Sequence, residues 1–167
     1  MGAELIAGKN VLFVMAASAE YGDRLKARIA PLIDTFLEEH PHVSVEMHLS
    51  DGYSDLPRQG LDLAIRYGAL ADSGLRVRKL ADNRRLVCAA PAYLARHGTP
   101  GAPGELVDHN CILMRFGGNL DREWPFFIDG EVRRIVVGGR RVANDGGLVR
   151  EWCRQGRGIA LKSIRDV

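Results

Sequence analysis

Leu61-Asp-Leu-Ala-Ile-Arg66-Tyr67-Gly68, followed by Leu75-Arg-Val-Arg-Lys-Leu80 and Arg84-Arg-Leu-Val-Cys-Ala-Ala-Pro91-Ala-Tyr93-Leu94, decides the fold of this chain. Leu61–Ile65 is almost wholly apolar, as a strand covered on both faces must be. Arg66-Tyr67-Gly68 reads as the loop at its end. Leu75–Leu80 and Arg84–Ala90 read as two further strands. Pro91–His97 reads as a short helix, with proline in the first turn, where its missing N–H costs nothing.

The pattern extends outward in both directions. Val11–Met15 is a continuous apolar run, expected as a buried strand. From about Asp23 to Glu39, apolar residues Leu25, Ile29, Leu32, Ile33, Phe36 and Leu37 recur at helical spacing. Pro31 falls inside, so the helix is expected to begin or bend there, and His40-Pro41 ends it. Val43, Val45, Met47 and Leu49 alternate with Ser44, Glu46 and His48, a half-exposed strand. Strand, helix, strand at this spacing implies a parallel βαβ unit.

Downstream, Gly98–Gly104 reads as loop and Cys111–Met114 as a short strand. Asp129-Gly130 inside Phe126–Val132 favours a type I′ hairpin. Arg140–Ala143 reads as a strand, and Asn144-Asp145 can cap a helix running to about Gln155. Gly156-Arg-Gly158 closes that helix, and Ile159–Leu161 starts a last strand.

Composition excludes several classes. With 46% apolar and 26% charged residues, the 167-residue chain is an ordinary globular sequence. A formal net charge of +2 gives no global field for nucleic acid. The densest basic stretch, Arg133-Arg134 and Arg140-Arg141, reads as solvated strand ends. Cys88, Cys111 and Cys153 have no metal-like spacing, and their odd number suits a reducing compartment with buried, inert thiols. Lys9 and the short run Val11–Ala19 fit either a secretory signal cleaved near Ala19 or a buried first strand. No run is long enough to span a bilayer.

Catalytic signatures are missing from the sequence: there is no G-x-S-x-G, no Walker-type loop and no H-E-x-x-H. His42, Glu46 and His48 share one face of a strand, either as a zinc or nickel site or as a polar edge. What remains is a set of strand mouths, where α/β sheets bind ligands. Ala17 and Ser18 follow the first strand, Ser50 the second, Arg66, Tyr67 and Gly68 the third, and Asn144 and Asp145 open the late helix. Helix N-termini and hydroxyls there suit a carboxylate or phosphate.

The Leu61–Gly68 and Arg84–Leu94 blocks, together with Asn144-Asp145-(x)10-Gly156-Arg-Gly158-Ile-Ala-Leu161, resemble the effector-sensing domain of LysR-type transcriptional regulators. The resemblance runs from about Val11 to the end. It implies an α/β, type 2 periplasmic-binding-protein-like fold, two Rossmann-like lobes with a ligand cleft between them. Residues 1–82 would form the first lobe, 83–160 the second, and 161–167 the start of a return to the first. Ser18 and Ser50 match the family's effector contacts, with others around Arg66-Tyr67 and Asn144. The chain would then be no enzyme and need no cofactor or metal. Its expected partner is a small-molecule effector, an organic acid or amino acid, sensed in the cytoplasm by a homodimer paired through Ala27–Glu39 and Val43–Leu49. DNA would be reached only through a DNA-binding domain absent from this chain, and the C-terminal end of the sensing domain is expected to be missing as well. The competing readings are a secreted solute-binding protein of a transporter, an enzyme using Ser18, Tyr67 and Asp145, and a shortened paralogue that pairs with full-length regulators.

Overall fold

The computed structural model describes residues 11–17, 22–50, 61–65 and 76–164. The chain divides into two units, Met1–Tyr67 and Gly68–Val167.

In the first unit, β1 (Val11–Ala17) leads to α1 (Gly22–Glu39), β2 (Ser44–Ser50) and β3 (Leu63–Ile65). β1 is central, parallel to β2 on one edge and to β3 on the other. Val11–Ala17 is therefore the central strand of a sheet. On α1, Ile29 is buried and packs with Ile33, Met47 and Ile65, whereas Leu32 points off this stripe and is 68% exposed. The helix runs through Pro31 instead of starting at it. Proline forfeits the bond to the carbonyl four residues back, and its own carbonyl accepts from Thr35 Oγ1 at 3.0 Å. β2 alternates as expected, with Val45 and Met47 half-buried and Ser44, Glu46 and His48 exposed.

The second unit is built on β4 (Arg85–Ala89), β5 (Cys111–Phe116), β6 (Asn119–Asp121), β9 (Arg141–Ala143) and β10 (Ile159–Ser163). The sheet order is β4-β10-β5-β6, and β9 also pairs with β5. β10 runs antiparallel to β4 and parallel to β5. Helix α2 (Pro91–His97), a 3₁₀ turn (Pro103–Asp108) and α3 (Gly146–Arg154) complete it. β5 and β10 are covered on both sides, which explains their unbroken apolar runs. Cys111, Leu113, Ile159 and Leu161 pack with Tyr93, Leu106, Trp124 and Val137 on one face. Ile112, Met114 and Ala160 pack with Val149 and Cys153 of α3 on the other. Each such fully buried aliphatic or aromatic side chain contributes roughly 1.5–3 kcal/mol.

β7 (Glu123–Ile128) and β8 (Glu131–Val136) form a separate antiparallel ribbon. Asp129 and Gly130 take φ of 53° and 83°, the left-handed pair that a type I′ turn requires. Arg133 and Arg134 lie exposed within β8.

One expected strand is absent. Residues 76–84 form no strand, and Val77 and Leu80 are 63% and 72% exposed. Alternation in Leu75–Leu80 imitates a strand, but a ladder needs a neighbour, and none pairs with residues 76–80 among the described residues.

Candidate functional site

In the first unit, Ala17, Ser50 and Ile65 share the carboxyl end of one sheet. β1 and β2 run parallel, and their register sets Ala17 opposite Ser50 at the carboxyl ends. On the other side of β1, Ala16 stands opposite Ile65, the last residue of β3. The chain leaves β1 toward β2 on one side and returns as β3 on the other, so β1 is a switch point in strand order. Open α/β sheets bind ligands outside such a point. Ser18 follows Ala17 directly, and Arg66, Tyr67 and Gly68 follow Ile65; all four lie outside the described residues.

The second unit presents another mouth. β9 is parallel to β5, with Ala143 opposite Met114. Asn144 and Asp145 follow it and are exposed. Asp145 is the N-cap of α3: one carboxylate oxygen accepts from the Leu148 N–H at 2.6 Å, and its carbonyl accepts from the Val149 N–H at 3.2 Å. An aspartate satisfies one of the orphan donors and offsets the positive helix end. The tip of α3 is thus already met by a carboxylate, which changes what it can attract.

Behind this tip lies a residue the sequence reading missed. Lys162 on β10 is 1% exposed, and its Nζ donates to the Gly146 carbonyl at 2.9 Å, in the first turn of α3. Strand alternation places Lys162 on the same face as Ala160, against α3, and that was the available signal. Asn110 was missed too. Its amide group accepts from the Arg140 N–H at 2.9 Å and donates to the Arg157 carbonyl at 2.7 Å. Its N–H meets Tyr93 Oη at 3.0 Å, and its carbonyl accepts from the Ile159 N–H at 3.0 Å. One side chain thereby holds the segments leading into β9, which Asn144 follows, and β10, which carries Lys162.

The histidine face of β2 is a pair. His48 Nε2 and Glu46 Oε1 are 2.9 Å apart and both exposed, and among the described residues no three potential ligands converge as a metal site would require. The thiols differ from one another: burial pushes Cys111 up to about 11. Cys153 is instead drawn down to about 7, first by hydrogen bonding with the Cys88 side chain, then by backbone N–H groups and the Lys162 charge, against its burial. No helix among the described residues is long and apolar enough to cross a membrane.

Comparison with known proteins supplies the family context. Residues 15–164 match the model of the LysR substrate binding domain. The HTH-type transcriptional regulator CrgA of Neisseria meningitidis serogroup C (strain 8013) is 38% identical over 135 residues, 81% of this chain and 44% of that protein. The HTH-type transcriptional regulator DmlR of Escherichia coli (strain K12) is 33% identical over 139 residues, 83% of this chain and 45% of that protein. Among solved structures, the CrgA regulatory domain, from a LysR-type transcriptional regulator of Neisseria meningitidis, superposes with a TM-score of 0.68 at 35% identity. It covers 92% of this chain and 72% of that one. The chain spans less than half the length of the curated relatives it matches.

Proposed function

The chain belongs to the LysR substrate-binding domain family, with its periplasmic-binding-protein-like fold, and from that premise we propose that it is the effector-sensing part of a LysR-type transcriptional regulator. The observation that carries this reading is the pairing of Ala17 with Ser50 at the carboxyl edge of a parallel sheet whose strand order reverses at β1. The relatives are named as transcriptional regulators, not as transporter components or enzymes.

In this reading the effector is a small organic acid or amino acid. Ala17, Ser18, Ser50, Arg66 and Tyr67 are its contacts in the first unit, and Gly68, Asn144 and Asp145 those in the second. The acid group goes to the first set, where hydroxyls, loop N–H groups and the Arg66 guanidinium favour an anion. Asp145 already places a carboxylate at the α3 tip, so that end suits a donor, a hydroxyl or ammonium group. Effector binding shifts the population of conformers, and a homodimer passes the shift to DNA-binding parts that lie outside the sensing domain. Leu32, exposed on α1, and the outward face of β2 form the dimer surface.

Thermal melting of the chain against a panel of small hydroxy acids, amino acids and dicarboxylic acids tests this reading. At least one should raise the melting temperature, since ligand at about 100 times its Kd adds about 2.7 kcal/mol of stability. A folded chain stabilised by none of them contradicts the sensing role.

A further inference from the structure

Cys88 on β4 and Cys153 in the last turn of α3 meet where the helix covers the sheet. The Cys153 thiol donates to the Cys88 carbonyl at 3.3 Å, and the Cys88 thiol donates to the Ala160 carbonyl at 3.4 Å. The neighbouring Cys88 side chain, the backbone at Ala160 and Ala90 and the Lys162 charge together draw the Cys153 thiol down to about 7, against its burial. Lys162 lies on the same face of β10 as Ala160 and adds its positive charge. The two thiols thus lie in one core cluster, with the Cys153 sulfur against the Cys88 backbone. Cys111 faces the opposite side of the sheet, in the other core cluster.

We propose that Cys88 and Cys153 are a dithiol that closes reversibly to a disulfide, with a small hydroperoxide as the oxidant. A thiolate, not a thiol, is the nucleophile in such chemistry. The Cys153 thiolate attacks one peroxide oxygen; the O–O bond breaks, sulfenic acid forms and hydroxide leaves. The Cys88 sulfur then attacks the Cys153 sulfur; the S–S bond forms and the hydroxyl departs as water. Two thiols lose two electrons and two protons, and hydrogen peroxide becomes two waters. A thiol reductant reverses the change. The bond would tether the last turn of α3 to β4 and remove the thiolate beside Lys162, whose ammonium holds the first turn through Gly146. Oxidation is thereby felt at both ends of the helix that carries Asp145.

The test is peptide mapping of the full chain after brief hydrogen peroxide treatment and alkylation of remaining thiols under denaturing conditions. The expected product is an intrachain Cys88–Cys153 peptide, with Cys111 alkylated and the link abolished by dithiothreitol. Cys88→Ser should stop the reaction at a sulfenic acid on Cys153 that dimedone traps, and Cys111→Ser should leave the link unchanged. Without oxidant, alkylation of Cys153 in the folded chain should be half-maximal near pH 7. Full alkylation of all three cysteines after peroxide, or a link through Cys111, overturns the proposal. So does a Cys153 that reacts no faster at neutral pH than Cys111.

Discussion

The Lys162 ammonium, buried behind the sheet, donates 2.9 Å to the carbonyl oxygen of Gly146 at the start of α3. A buried cation persists only where partners replace its lost water. Lys162→Ala leaves a cavity and strips a partner from that carbonyl, so it should cost about 2–4 kcal/mol. Lys162→Met keeps the volume and should cost clearly less. Urea denaturation midpoints of the two variants check the order.

Asp145 caps α3 through the Leu148 N–H at 2.6 Å. Asp145→Ala should lower unfolding stability by about 1 kcal/mol, whereas Asp145→Asn, which still caps, should cost only a few tenths. Equal losses in both variants would show that charge, not capping, is what the position supplies.

Gly139 lies against β5 so closely that an added Cβ would sit 1.6 Å from the Cys111 carbonyl oxygen. The obstacle is backbone, which cannot rotate away. Gly139→Ala should therefore destabilise far more than the roughly 1 kcal/mol of a typical point substitution. Gly138→Ala, next to it, meets nothing within 4 Å and should be mild. Circular-dichroism melts of the pair give the comparison.

Cys111 links stability to alkaline pH. Its thiol is raised by burial from 9.0 to about 11, so between these values the unfolded chain ionises and the folded chain does not. The contribution is complete below pH 9 and is lost as pH rises through 11. Stability measured from pH 8 to 11 should fall less steeply in Cys111→Ala than in the parent. The substitution also deletes a buried sulfur, so the slope, not the absolute value, is the readout.

Much of this molecule was legible from residue pattern. α2 spans the expected Pro91–His97, because proline at its first position and Gly98 beyond its end, at φ 82°, leave little choice. Asp129-Gly130 named its own turn. The parallel pairing of β1 and β2 followed from helical spacing between two strand-like runs. Residues 76–80 misled because alternation is necessary for a ladder but does not supply a partner. For Lys162, alternation along β10 could give the face but not its partner 16 residues away, and Asn110 was invisible because its role depends on contacts across 30–47 residues. The carboxyl-edge pairing of Ala17 with Ser50 was only half visible: each strand end could be read, but their register could not.

The central claim is that the strand mouths receive a small anionic effector. The most direct measurement is an amide NMR titration of the isotope-labelled chain with whichever hydroxy or amino acid raises its melting temperature most. The account predicts saturable shifts concentrated at Ala17, Ser18, Ser50, Arg66–Gly68 and Asn144–Leu148, reduced at least tenfold in affinity by Ser50→Ala combined with Asn144→Ala. Saturable shifts confined to other surfaces, or no shifts with any acid on a folded chain, would contradict it.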